Sequence, residues 1–75
     1  QLLGQNRFDE AVMIFLENAR AYPDSWNVYD SLAEAYMKRG QREKAVEYYK
    51  KSLSINPEND NAREMLKRIS RKKDR

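Results

Sequence analysis

The sequence of 75 residues contains no cysteine and no histidine. Without cysteine the chain can form no disulfide, no thiolate metal site and no cysteine nucleophile. Without histidine it lacks the commonest general base and the favoured zinc ligand. The sequence also has no glycine-rich phosphate loop and no cluster of metal-ligand residues. We therefore predict a protein that is not an enzyme, with no catalytic residues, no cofactor and no metal.

Glycine and proline are also scarce, with two residues of each. Helix formers dominate the rest of the sequence, which favours an all-α fold. No apolar run reaches the roughly 20 residues that a membrane-spanning helix needs, and no signal peptide opens the chain. The first residue is Gln, so we expect a fragment of a longer protein whose targeting signals lie elsewhere. The absence of cysteine favours the cytoplasm.

Hydrophobic periodicity and helix-end residues predict about four helices. Residues 1–6 are predicted to be the end of a helix followed by a turn at Gly4 and Asn6. The next helix is predicted from Phe8 to about Tyr22, with Asp9 and Glu10 in its first turn, where the helix dipole favours negative charge. Pro23 is expected to end this helix.

Three further helices follow. The second is predicted at 26–39, capped by Asp24 or Ser25 and ended by Gly40. The third is predicted at 43–55 and ends before Pro57. The fourth starts after Asn59 or Asp60, runs to about residue 71 and should fray from Arg68. On the third helix, Glu43 and Glu47 are predicted to form surface ion pairs with Lys50 and Lys51.

Each helix carries an apolar stripe at three- and four-residue spacing, which predicts its buried face. On the first helix the stripe is Phe8, Ala11, Val12, Ile14, Phe15, Leu16 and Ala19. On the second it is Tyr29, Leu32, Ala33 and Tyr36. On the third it is Ala45, Val46, Tyr49, Ser52, Leu53 and Ile55. On the fourth it is Ala62, Met65, Leu66 and Ile69.

The stripes repeat with a period of 34 residues, which is typical of stacked helical hairpins. The matching pairs are Ala11 and Ala45, Val12 and Val46, Phe15 and Tyr49, Pro23 and Pro57, and Leu32 and Leu66. Three of these residue types have a specific physical role. The alanine allows close helix approach, the aromatic fills the space beside it, and the proline ends a helix so that the next can run antiparallel.

Residues 26–59 resemble one complete tetratricopeptide repeat. The match rests on Tyr29, Leu32-Ala33, Tyr36 and Gly40 in the first half of the repeat. In the second half it rests on Ala45, Tyr49, Ser52 and Pro57, with Ser52 in place of the usual small alanine. The resemblance implies an all-α solenoid segment forming a single domain over 1–75. Its expected parts are the end of a preceding repeat (1–25), a capping helix (60–71) and a frayed basic tail (72–75).

The cap is expected because polar residues take core positions one period after the complete repeat. Tyr29 becomes Arg63, Ala33 becomes Lys67 and Tyr36 becomes Ser70, and a terminal helix needs a polar outer face. Residue 75 is accordingly expected near the C-terminus of the parent protein.

The resemblance also implies that a peptide or protein partner binds in a concave groove lined by the first helix of each repeat. The groove positions are Asn27, Asp30, Ser31, Glu34, Met37, Lys38, Asn61, Glu64, Met65 and Arg68, with Arg71 beyond them. Some family members clamp a terminal carboxylate with Lys, Asn and Arg. The matching places here hold Ser31, Asn61 and Met65, so that clamp is not expected.

Two other features have competing interpretations. Tyr29, Tyr36 and Tyr49 are predicted to be core residues, whereas Trp26 and Tyr48 are candidates for a contact surface. The charge is uneven, with two basic and six acidic residues in 1–37 against thirteen basic and six acidic in 38–75. The basic tail could contact nucleic acid or an acidic membrane. It lacks interleaved aromatics, so we expect neither partner and interpret it as a solvated helix end.

We predict a non-catalytic protein–protein interaction module. The alternative is a structural scaffold or a self-association element, a homodimer formed through the exposed Phe8–Phe15 face, at the C-terminus of a larger protein. The segments YPDSWNVYDSLAEAY and INPENDNAREMLKRI also look like C-terminal repeats appended to bacterial hydrolases. Nucleic-acid contact by the tail is the weakest alternative, and the sequence names no partner.

Overall fold

Four α-helices make up the fold, in a computed structural model that describes residues 2–73, with side chains for residues 7–70. They are α1 (Leu2–Ala21), α2 (Trp26–Arg39), α3 (Arg42–Ile55) and α4 (Asp60–Lys73). Helix α2 packs against both α1 and α3, and α4 packs against α3. The all-α fold and the bounds of α2 are as predicted, and α3 begins one residue earlier. No helix within residues 2–73 is long and apolar enough to cross a membrane.

The helix ends follow from local chemistry. The Ser25 hydroxyl accepts a hydrogen bond from the Val28 amide, which caps α2. Gly40 ends α2 in the left-handed conformation, with φ of 87°, which glycine adopts without a steric penalty. The Asn59 carboxamide accepts from the Ala62 amide at 3.2 Å, so Asn59 rather than Asp60 caps α4.

The predicted turn at Gly4 and Asn6 is wrong, because α1 runs without a break from Leu2. A single glycine within a helix costs about 1 kcal/mol relative to alanine, which does not end a helix flanked by strong helix formers. Asp9 and Glu10 therefore lie beyond the first turn of α1, which holds no acidic residue. Asp9 instead forms an ion pair with Arg39 at 2.9 Å, which ties α1 to the end of α2.

Helix α4 continues to Lys73, since its arginines and lysines are good helix formers and no glycine or proline interrupts them. The predicted fraying from Arg68 stays a prediction. Of the predicted frayed tail 72–75, residues 74 and 75 lie outside the described residues, as does the side chain of Arg71.

The core lies along α2 and α3. Leu32, Ala33, Ala45 and Ser52 have no exposed surface, and Tyr49 is 1% exposed. Tyr29 and Tyr36 are buried as well, which confirms the prediction that these three tyrosines belong to the core. Val12 and Ala19 extend the buried residues into α1, and Ala62 and Ile69 extend them into α4. The predicted stripes thus meet in one continuous interior.

Ile14 contradicts the predicted buried face of α1. Its side chain is 58% exposed, and the neighbouring Met13 is 65% exposed. Tyr48, which lies 34 residues after Ile14, packs on α2, but no described helix covers Ile14 in the same way. The apolar stripe of α1 is therefore wider than the part of α1 that the other described helices bury.

The predicted ion pairs on α3 are also wrong. The pairs in the described part of the chain join Glu34 to Lys38, Asp9 to Arg39, Asp60 to Arg63 and Glu64 to Arg68. The Lys51 ammonium lies over the Tyr29 ring instead, 5.6 Å from its centroid. A cation over an aromatic face is attracted by the ring quadrupole, so Lys51 contributes to contact between α2 and α3.

Candidate functional site

An apolar trough lies between α1 and α2, with a volume of about 260 Å³. Phe8, Ala11 and Phe15 line it from α1, and Ala35 lines it from α2. Ser31, Glu34 and Lys38 form its polar side on α2. Glu34 and Lys38 pair with each other at 3.6 Å. The trough therefore combines an apolar floor with a polar rim that carries both signs of charge.

The 34-residue period identifies an equivalent position between α3 and α4. Ala11 and Phe15 correspond there to Ala45 and Tyr49. Helix α2 covers those two residues, which are 0% and 1% exposed, whereas Ala11 and Phe15 are only half-buried. Helix α2 thus fills the position beside α3 and α4 that is equivalent to the trough. No described helix fills the trough itself.

Three of the ten predicted groove positions lie on this trough. Ser31, Glu34 and Lys38 line it. Asp30 accepts two hydrogen bonds from the Asn61 carboxamide, at 3.1 and 3.2 Å, and these bonds join α2 to α4. Asn27 is exposed at the start of α2. Of the predicted residues on α2, Ser31, Glu34 and Lys38 therefore lie beside α1, whereas Asp30 contacts α4.

The remaining predicted positions lie away from the trough. Glu64 and Arg68 are exposed on α4 and pair with each other at 3.6 Å. Met37 and Met65 are half-buried and pack against the core, so much of their surface is already in contact with the protein. Arg71 lies outside the described side chains. Whether any of these ten residues contacts a partner stays a prediction.

Phe8, Ala11 and Phe15 were not among the predicted groove residues, although the exposed Phe8–Phe15 face was predicted as a surface for self-association. Sequence reasoning assigned them to a buried stripe, since their spacing is that of a core face. The resemblance placed the groove on the first helix of each repeat and so excluded α1. The signal that could have found them is the period itself, because their counterparts in the complete repeat are covered by a helix of the chain.

Three tyrosines form a stack between α2 and α3. The Tyr48 ring lies between Tyr29, with centroids 6.1 Å apart, and Tyr36, with centroids 5.6 Å apart, and both ring pairs are nearly parallel. Burial, with the nearby Tyr36, Glu47 and Tyr29, raises the pKa of Tyr48. Tyr48 is thus largely committed to packing, while Trp26, at 36% exposed, stays a candidate contact residue.

Alkaline unfolding should report the burial of Tyr49. Burial, with the negative charges of Asp30 and Glu34, raises the pKa of Tyr49 to about 12. The folded protein then holds this proton more tightly than the unfolded chain, whose tyrosines ionise near pH 10. Stability from this group is therefore complete below pH 10 and is lost as the pH rises from about 10 to 12.

Urea midpoints measured between pH 9 and 12 check this prediction. The midpoint should fall through that range, and Tyr49→Phe should make the fall shallower, because the variant has no proton to lose there. The exposed Tyr22, which is 65% exposed, provides the control: Tyr22→Phe should leave the slope unchanged. An unchanged slope in Tyr49→Phe would contradict the assignment.

A family model described as Tetratricopeptide repeat matches residues 26–59. The match covers α2, α3 and the Asn56–Asn59 turn. Residues 26–59 are a tetratricopeptide repeat. No curated protein matches the chain. Tetratricopeptide repeats in general mediate protein–protein interaction and are non-catalytic.

The repeat accounts for how the trough is built. Its first helix, α2, packs against both α3 and α1, so it forms both the core of the repeat and one wall of the trough. The side chains of the described part of the chain include no group of three or more metal-ligand residues that could hold an ion. The side chains that line the trough offer apolar contact and charge pairing.

Proposed function

We propose that this tetratricopeptide segment binds a peptide or a domain of another protein through the concave face of α2 and the trough beside it. The trough carries the proposal, since Phe8, Ala11 and Phe15 supply apolar contact area. Buried apolar contacts supply most of the affinity in peptide grooves, while polar rims set orientation. The predicted residues Ser31, Glu34 and Lys38 provide that rim.

Selection from a displayed library of random peptides tests the proposal. Peptides enriched on the wild-type protein should shift the amide resonances of Ala11, Phe15, Ser31 and Glu34. Ser31→Arg should abolish enrichment of these peptides by filling the trough, and Ser54→Arg, at an exposed position on α3, should not. Equal enrichment on Ser31→Arg and Ser54→Arg would refute binding at this face.

Self-association is the second candidate, favoured by the exposure of Met13 and Ile14 on α1. Against it, two copies of α1 placed face to face would bring the exposed Glu10 and Glu17 of each chain close together, and like charges repel. Sedimentation equilibrium over a wide concentration range distinguishes the two. A dimer that Ile14→Glu dissociates would establish self-association, and a monomer at all concentrations would remove it.

A further inference from the structure

A second cleft, the α1–α3 cleft, has a volume of about 460 Å³ and shares no lining residue with the α1–α2 trough. Helix α2 contributes the buried Tyr29 to it. The volume falls within the range of roughly 300–1,000 Å³ that is usual for ligand sites. The two walls are formed by Leu16, Ala19 and Arg20 of α1 and by Glu47, Tyr48 and Lys51 of α3.

The α1–α3 cleft does not depend on an uncovered face of α1. Helix α3 shows this, because both α2 and α4 pack against it. Leu16 and Arg20 correspond there to Lys50 and Ser54, and both of these residues are exposed. A helix that packed on α1 as α2 packs on α3 would therefore leave Leu16 and Arg20 accessible. Lys51, on the other wall, is exposed with α2 and α4 in place.

Each wall of the cleft carries one cationic side chain. Among the side chains of residues 7–70, the ion pairs involve neither Arg20 nor Lys51. The Lys51 ammonium lies 5.6 Å from the centroid of the Tyr29 ring, and a side chain that is already held loses less freedom on binding. One carboxylate, that of Glu47, accompanies the two cations among the lining residues. The cleft therefore has a net positive charge.

The architecture of the repeat does not require these two cations. Arg20 has Ser54 as its counterpart one period later, and Lys51 has Glu17 as its counterpart one period earlier. Neither cation stands at a position on which the resemblance to the repeat rests. The cationic pair is thus particular to this cleft, which favours a role in recognition over a role in helix packing.

Beside the two cations the cleft offers apolar contact area. Leu16 and Tyr48 are half-buried, so each keeps part of its surface accessible. The Tyr48 ring is fixed in its stack between Tyr29 and Tyr36, which makes this part of the wall rigid. A protein–protein interface typically combines such an apolar centre with a polar rim.

We infer that the α1–α3 cleft binds an acidic segment of a partner protein, with an apolar side chain on Leu16 and Tyr48 and carboxylates paired with Arg20 and Lys51. Guanidinium groups pair with carboxylates through two parallel hydrogen bonds, and complementary charge selects the partner. The inference goes beyond the proposed function, because this surface is separate from the trough and does not require the trough to be occupied.

The probe is an acetylated and amidated peptide with the sequence GSEDLEDSG. Titrated into the intact 75-residue protein, it should shift the amide resonances of Leu16, Ala19, Tyr48 and Lys51. The peptide GSQNLQNSG, which lacks the carboxylates, should bind at least about fourfold more weakly, since it loses two exposed ion pairs. Equal binding of the two peptides, or shifts that leave out both walls of the cleft, would overturn the inference.

Charge-removing variants locate the contact. Arg20→Gln and Lys51→Gln should each weaken binding of the acidic peptide by about two- to fivefold, the range of an exposed ion pair. Lys50→Gln is the matched control, because it removes the same charge from the neighbouring exposed residue of α3, which does not line the cleft. It should leave the affinity unchanged. Equal losses in Lys50→Gln and Lys51→Gln would indicate unspecific attraction to the basic half of the chain and would overturn the inference.

Glu47→Gln gives a test that impaired folding cannot imitate. The variant removes the carboxylate that repels the peptide, so the affinity should rise by about twofold. Glu43→Gln, at an exposed position outside the cleft on the same helix, should leave it unchanged. An affinity that falls in Glu47→Gln would contradict binding of an acidic segment beside this residue.

Two further measurements separate this inference from the proposed function and from self-association. Ser31→Arg should block the trough and retain binding of the acidic peptide, and loss of binding in that variant would assign the peptide to the trough and overturn the inference. Failure of library peptides to bind the trough would remove the proposed function and leave the cleft in place. A dimer in sedimentation equilibrium that Lys51→Gln dissociates would replace the partner by the acidic half of a second copy.

Discussion

Leu32→Ala is expected to lower the free energy of unfolding by about 3 kcal/mol, within the range of roughly 2–5 kcal/mol for a buried leucine. The Leu32 side chain has no exposed surface and lies in the cluster that α2 forms with α1 and α3. Its removal leaves a cavity that three packed helices cannot close without moving. Urea unfolding followed by circular dichroism measures the loss.

Ile14→Ala is the matched control, because it also removes methyl and methylene groups from an aliphatic side chain within a helix. Ile14 is 58% exposed, so the change should fall within about 0.5 kcal/mol of the wild type, as for most surface substitutions. Similar losses in the two variants would show that α1 is buried more deeply than the structure has it.

The size of the chain makes the Leu32 effect decisive for folding. Small domains bury a smaller share of their surface than large ones, and total stabilities are only about 5–15 kcal/mol. This chain has no disulfide, so packing supplies most of its stability. Leu32→Ala should therefore populate the unfolded state measurably near physiological temperature.

The helix ends were predictable where one residue dictates the backbone. Proline lacks an amide proton, so Pro23 and Pro57 limit α1 and α3. Gly40 accepts a positive φ, and the Ser25 hydroxyl supplies an acceptor for a free amide. Each of these effects is local, and a single residue type is enough to specify it.

Predictions failed where the outcome depends on contacts between helices. Gly4 and Asn6 permit a turn but do not require one, and the helix continued through them. The spacing of Ile14 places it on the apolar face of α1, but spacing does not show whether another helix covers that face. Lys51 could pair with Glu47 or lie over Tyr29, and only the packing of α2 on α3 decides between these contacts.

At the candidate site, too, the features that one helix specifies were predictable, and those that depend on helix packing were not. Ser31, Glu34 and Lys38 were predicted from the face of one helix, and the structure places all three along the trough. Phe8, Ala11 and Phe15 on the other wall were predicted as part of a self-association face and not as groove residues. A trough belongs to two helices together, and a pattern within one helix cannot reveal that its apolar residues form a wall beside another helix.

Ser52→Ala is expected to lower stability by about 2 kcal/mol, although alanine is the commoner small residue at this position of the repeat. The buried Ser52 hydroxyl donates to the Trp26 carbonyl at 2.9 Å and accepts from the Asn59 carboxamide at 2.8 Å. Losing it leaves a buried amide donor without its acceptor, which costs roughly 1–3 kcal/mol. Ser54→Ala, at an exposed serine that bonds the Lys51 carbonyl, should change stability by less than about 0.5 kcal/mol.

The Ser52 hydroxyl acts together with Asn59, so the two substitutions should not be additive. Asn59 is 6% exposed. Its carboxamide donates to Ser52 and accepts from the Ala62 amide at the start of α4. Asn59→Ala alone removes both bonds, and Ser52→Ala then has less left to disrupt. The double variant should be more stable than the sum of the single losses predicts, by about 0.5 kcal/mol or more. Strict additivity would show that α2, α3 and α4 are joined by packing alone at this point, without the shared hydrogen-bond network.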